Sequence, residues 1–141
     1  MVASYPQAGL IVRNAETKFA ITAANNVAAG DPVKATSDRP INLTINPTPT
    51  GPITHGTFYD KQSKLYVGAD RDESGSRLTW VTRPNLWTIA RTATGDYHIF
   101  HPQFDLYWSQ DDNIAPDVQL KTGREIRGKE AFWVFQHVIG A

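Results

Sequence analysis

Three short patterns recur along the chain at nearly constant intervals, and a period of this order dictates the fold more strongly than any local motif. The segments NLTIN (42–46), LWTIA (86–90) and FWVFQ (132–136) align at Thr44, Thr88 and Val134, which stand 44 and 46 residues apart. FAITAAN from Phe19, LYVGADR from Leu65 and LYWSQDD from Leu106 align at intervals of 46 and 41 residues. Val12, Phe58 and Ile99 each precede those starts by 7 residues. The first two units also end alike, in TPTG (48–51) and TATG (92–95).

Each unit reads as four short strands. Alternation of apolar and polar residues runs through GLIVRN, FAIT, PVKA and LTIN in the first unit and through DYHIF, DLYWS, DVQLKT and FWVFQHV in the third. β-Branched and aromatic residues fill these runs, and Gly, Pro, Asn or Asp fall between them. The one helical rival, GREIRGKEAFWVFQ, is interrupted at Gly123 and Gly128. A propeller blade also has four strands, yet propellers usually close with at least four blades. Three four-stranded units close instead as a β-trefoil, a six-stranded barrel capped by three hairpins, which pairs the barrel strands and removes most exposed edges. No unit buries its apolar face alone, so residues 1–141 are expected to form a single all-β domain with repeats at about 9–51, 52–95 and 96–139.

Side chains alternate across a strand, so phase sorts core from surface. Leu43 and Ile45, Trp87 and Ile89, Trp133 and Phe135 share one phase, taken as inward. Val33 and Ala35, Leu78 and Trp80, Val118 and Leu120 make a second inward set; Phe19 and Ile21, Leu65 and Val67, Leu106 and Trp108 make a third. All four tryptophans then pack inside, where large aromatics usually belong. The same alternation turns Tyr66 and Tyr107 outward, just before the polar loops GADRDESGS (68–76) and SQDDNIAPD (109–117).

Composition narrows the function classes. Lys plus Arg and Asp plus Glu number 14 each, so the formal charge is zero, whereas nucleic-acid binders usually carry a basic excess for phosphate. Cysteine is absent, which excludes disulfides and thiol catalysis. MVASYPQAGLIVRN lacks the basic and apolar regions of a signal peptide, and no apolar run reaches membrane-spanning length. A cytoplasmic protein without membrane insertion is the expectation, or one exported by an unusual route. The glycosylation tripeptide Asn42-Leu43-Thr44 is then expected to remain unmodified.

No Gly-rich phosphate loop, nucleophile elbow or Ser/His/Asp order is present. His98 and His101, three apart on a strand, point to opposite faces and make a poor metal pair; no cofactor or metal is expected. Asp111 and Asp112 are adjacent, and Asp70, Asp72 and Glu73 occupy the equivalent loop one unit earlier. Acid–base glycosidases need carboxyls facing each other across a cleft, which neighbours in one loop do not supply, and the reading is non-enzymatic. Such residues can simply stabilise turns. They can also serve a saccharide, which needs a flat apolar face for its C–H side and acceptors for paired hydroxyls. Tyr107 with Asp111, Asp112 and Asn113 offers both, and Tyr66 with Asp70 and Asp72 a weaker copy. The first unit offers only Ala20, Asn25 and Asn26 and is expected to be inactive. Two exposed loops, 22–32 and 46–52, suit an alternative role as protease-inhibitory segments, whose affinity would come from pre-organisation.

LWTIARTATGDYHIF, LYWSQDDNIAPDVQLKTG and AFWVFQHV together resemble the cysteine-free cytoplasmic β-trefoil proteins of mushrooms. That group includes small lectins, a mannose-binding lectin-like protein and its relative that accompanies mushroom tyrosinase, and trefoil protease inhibitors. The resemblance implies glycan binding, with mannose the suspected sugar, or a lectin-like scaffold on a protein partner such as a tyrosinase. The glutamine–x–tryptophan signature of ricin-type lectins is not reproduced, since the residues before Trp87 and Trp133 are Asn85-Leu86 and Ala131-Phe132. No binding residue is carried over from the family.

Overall fold

Twelve strands follow one another along the chain, four to each sequence unit, in a computed structural model that describes residues 9–137. The first unit contains β1 (Leu10–Asn14), β2 (Ala20–Thr22), β3 (Lys34–Thr36) and β4 (Thr44–Asn46). The second contains β5 (Ile53–Asp60), β6 (Leu65–Ala69), β7 (Leu78–Val81) and β8 (Trp87–Arg91). The third contains β9 (Tyr97–Phe100), β10 (Tyr107–Ser109), β11 (Gln119–Lys121) and β12 (Trp133–His137). The stretch that offered the one helical rival near the C-terminus forms a single 3-10 turn, Gly123–Glu125, before β12 begins.

The first and last strands of each unit build a closed ring. β1 pairs β12, β12 pairs β9, β9 pairs β8, β8 pairs β5 and β5 pairs β4, all antiparallel. The ring closes where Leu10 and Leu43 exchange both backbone bonds at 2.9 Å. The middle strands form the hairpins β2–β3, β6–β7 and β10–β11. These lean on one another, Val33 N–H donating to the Leu78 carbonyl at 2.9 Å and Leu78 N–H to Val118 at 2.8 Å. The architecture is a β-trefoil, as the period required.

Phase sorts the side chains as alternation demands. Trp80, Trp87, Trp108 and Trp133 are fully buried, as is Phe58, whose ring lies 4.7 Å from Trp108. Trp87 and Trp133 meet Trp108 edge-on at 5.3 and 6.0 Å, the geometry that ring quadrupoles favour. Phe19 and Phe135, expected inside, are half-buried and pack on the margin of the core. Ala20, the first unit's counterpart of Tyr66 and Tyr107, is buried.

The three turns joining the first two strands of each unit solve one problem with different residues. Asn14 Oδ1 accepts the N–H groups of Glu16 and Thr17, Asp60 accepts those of Gln62 and Ser63, and His101 Nδ1 accepts that of Gln103. Lys18 and Lys64 complete two of these turns at φ of 66° and 62°.

Candidate functional site

Two surface clefts stand out among the described residues. The larger, about 560 Å³, lies at the junction of the first and second units. One wall is the connection from β3 to β4, where Pro40 interrupts strand pairing and Ile41 N–H is pinned to the Ile21 carbonyl at 3.1 Å. That pin fixes Arg39 and Asn42 on either side of a half-buried Pro40–Ile41 floor. The loop after β2 adds Ala23 and Asn25.

The opposite wall is the β5–β6 turn, Asp60, Lys61 and Gln62. The buried Asp60 carboxylate is consumed by its own turn, accepting from Gln62 N–H, Ser63 N–H and the Ser63 hydroxyl, which leaves Lys61 and Gln62 at the rim. Gly9 also lines the cleft, and it must be glycine: a Cβ there would lie 2.5 Å from Asn42 Cβ. Among the described residues Arg71 lies within salt-bridge distance of Glu73 and His101 of Asp72, and neither Arg39 nor Lys61 stands in such a pair.

The second cleft, about 290 Å³, sits at the tip of the β6–β7 hairpin and includes Asp70, Arg71, Glu73 and Arg77. Arg71 reaches Glu73 at 3.6 Å across it, and both side chains are well exposed.

The residues singled out from sequence are dispersed differently. Tyr107 is half-buried, its ring 5.0 Å from Phe100 and 5.5 Å from His98, which itself packs 4.5 Å from Phe132. Asp111 Oδ1 accepts the N–H groups of Asn113 and Ile114 at 2.9 and 3.0 Å, so this carboxylate shapes its turn. Asp112 and Asn113 are exposed. None of these four lines either cleft. Tyr66 lies against Tyr59 at 4.7 Å, Asp70 lines the smaller cleft, and Asp72 approaches His101 Nε2 at 3.5 Å. Tyr66 lines neither cleft.

The first unit, expected to be inactive, therefore borders the larger cleft. Comparison of hairpin positions assigns Asn25 to an inactive unit and does not reach the walls at 39–42 and 60–62, which are supplied by a different connection and by the next unit. The Arg-Pro step repeated at 39–40 and 83–84 was the available signal. The proposed inhibitory loops 22–32 and 46–52 are largely exposed, and the first is tied down at its end by Gly30 N–H to the Trp80 carbonyl at 2.8 Å. Among the described residues no group of three or more His, Asp or Glu is arranged to hold a metal. No described helix is long and apolar enough to cross a membrane.

No protein-family model matches the chain, and no curated protein matches it. Solved structures do. A ricin B-like lectin of Macrolepiota procera, in complex with lactose, is 18% identical with a TM-score of 0.68, over 94% of this chain and 98% of that one. The BEL β-trefoil in its apo form is 12% identical with a TM-score of 0.70, over 95% and 96%. A Culex salivary protein of the cysteine and tryptophan-rich family is 14% identical with a TM-score of 0.69, over 96% of each chain. At these identities the likeness establishes the fold, and activity has to be argued from the site.

Proposed function

We propose that the protein is a carbohydrate-binding, lectin-like protein and that its saccharide occupies the cleft between the first two units. The observation that carries this reading is the pairing, in one open cleft, of amides from Asn25, Asn42 and Gln62 with an apolar floor of Pro40 and Ile41. A sugar ring presents hydroxyls that both donate and accept along its edge and C–H groups across its face. An amide offers both hydrogen-bond roles within one group, and the floor receives the C–H face. The lactose bound by one structure of the same fold supports a saccharide as the ligand class.

Within that reading, a mannose-type glycan remains the first neutral candidate on the strength of the sequence resemblance. Tyr107 with Asp111, Asp112 and Asn113 is a second candidate site, in which the half-buried tyrosine would present its free ring edge. Glycan-array screening followed by calorimetry tests the proposal. Binding is expected to fall about ten-fold or more in Asn42→Ala, through loss of a paired hydrogen bond and the positioning it provides. Tyr107→Ala and Asp112→Ala report on the second site in parallel. Absence of binding to any saccharide at millimolar concentration would overturn the reading.

A further inference from the structure

The three junctions between units are chemically unequal, and the inequality assigns a charge to the ligand. Arg39, Arg83 and Lys129 occupy equivalent places, 44 and 46 residues apart, so each junction begins with a cation. The facing turn supplies Lys61 at the first junction, but the corresponding residues are Pro102 at the second and Ala15 at the third. At that turn position the first junction alone carries a second cation.

The other two junctions are occupied by the protein's own groups. At the second, His101 approaches Asp72 at 3.5 Å and packs at a tilt against Phe104, ring centroids 4.6 Å apart, while a Cβ on Gly68 would already meet Val81 and Asn85 at 2.7 and 2.9 Å. At the third, Asn14 Nδ2 donates to the Glu130 carbonyl at 2.8 Å and Glu16 accepts the Lys129 N–H at 3.3 Å. Among the described residues, neither cation of the first cleft stands in a salt bridge. Its one carboxylate, Asp60, is buried and accepts from three donors of its own turn. The terminal segments outside the described residues, 1–8 and 138–141, contain no Asp or Glu.

We infer that the cleft selects acidic saccharides, glycans bearing a carboxylate on or beside the ring that rests on the Pro40–Ile41 floor. This rests on the saccharide reading above and narrows its ligand class. Arg39 supplies the planar fork that matches a carboxylate with two parallel N–H donors, and Lys61 acts from the opposite rim as a point charge. Asn25, Asn42 and Gln62 then take the ring hydroxyls. Because the two cations are exposed, the contribution is screened by salt and shows most clearly at low ionic strength.

Calorimetry of the full chain with trigalacturonate and sialyllactose, each beside its methyl ester, tests the inference, since esterification removes the charge and keeps the ring. The acid forms are expected to bind about ten-fold tighter than the esters, and the preference to vanish in the Arg39→Gln/Lys61→Gln variant. An unchanged melting temperature would show that this variant keeps the fold. Equal affinity for acid and ester would overturn the inference and leave the saccharide reading standing. A preference that survives the double substitution would overturn the assignment to this cleft, and binding confined to sulfated oligosaccharides would overturn the carboxylate. Silence from acids, esters and the neutral array alike would overturn both readings.

Discussion

The indole Nε1 of Trp133 donates to the carbonyl oxygen of Trp108 at 3.0 Å, and the same bond recurs one unit earlier between Trp87 and Val67 at 2.9 Å. Each ties the last strand of a unit to its hairpin from inside the core. In the first unit Leu43 stands in the indole's place, and the equivalent carbonyl, on Ile21, takes the backbone N–H of Ile41 instead. One bond is thus made by a side chain twice and by the main chain once. The main-chain version draws the 39–42 segment into position, which is how the departure from threefold symmetry builds the cleft wall.

This relationship separates tryptophans that pack equally well. Trp87 and Trp133 have hydrogen-bonded indoles, whereas the buried Nε1 atoms of Trp80 and Trp108 have no partner among the described residues. Trp133→Phe should therefore cost about 1–2 kcal/mol more than Trp108→Phe, because it strands a buried carbonyl while the other removes an unpaired donor. Urea denaturation of the two variants measures the difference; equal losses would contradict it.

Gln110 is fully buried between the first and third units. Its two N–H donors are shared among the carbonyls of Ala35, Pro116 and Asp117 at 3.0–3.2 Å, and its Oε1 accepts from the Thr17 hydroxyl at 2.7 Å. Gln110→Leu keeps similar volume but removes all of these bonds, and although the Pro116 carbonyl still accepts the Ala35 N–H at 2.9 Å, a loss of roughly 2–4 kcal/mol is expected in chemical denaturation. A loss below about 1 kcal/mol would mean that the groups find other partners.

Gly68 is required by space alone. A Cβ would meet both Val81 methyl groups and Asn85 Nδ2 at 2.7–2.9 Å. Gly68→Ala should destabilise by about 1–3 kcal/mol through displaced packing, and Val81→Ala in the same chain should recover part of that loss. Thermal melts of the single and double variants provide the check.

Glu125 links the units through pH. Its carboxylate accepts from the Ser74 hydroxyl of the neighbouring unit, then from Thr122 N–H at 3.0 Å and the Thr122 hydroxyl at 2.9 Å. These bonds, the one from Ser74 foremost, lower its pKa from 4.5 to about 2. A folded-state pKa below the unfolded one means that the stabilisation is fully present above pH 4.5 and is lost as pH falls towards 2. Glu125→Gln should accordingly narrow its melting-temperature gap to the parent chain across that window. A gap independent of pH would contradict the account.

Much of this was legible in the sequence. The intervals between Thr44, Thr88 and Val134 gave the repeat, and strand phase placed all four indoles inside. Phase says nothing about depth, however. It turned Tyr66 and Tyr107 outward, but their neighbours Tyr59, Phe100 and His98 fold over them and leave both half-buried. The large cleft was harder still, because Arg39 and Lys61 come from different units and come to line one cleft only in the folded chain. Alignment of equivalent positions compares each unit with the others and cannot see the junctions between them.

Amide chemical shifts during titration with trigalacturonate and then with a mannose trisaccharide test the central claim most directly. The account predicts shifts concentrated on the side-chain amides of Asn25, Asn42 and Gln62 and on the backbone around Lys61. Shifts confined to residues 107–113, or none with either saccharide, would contradict it.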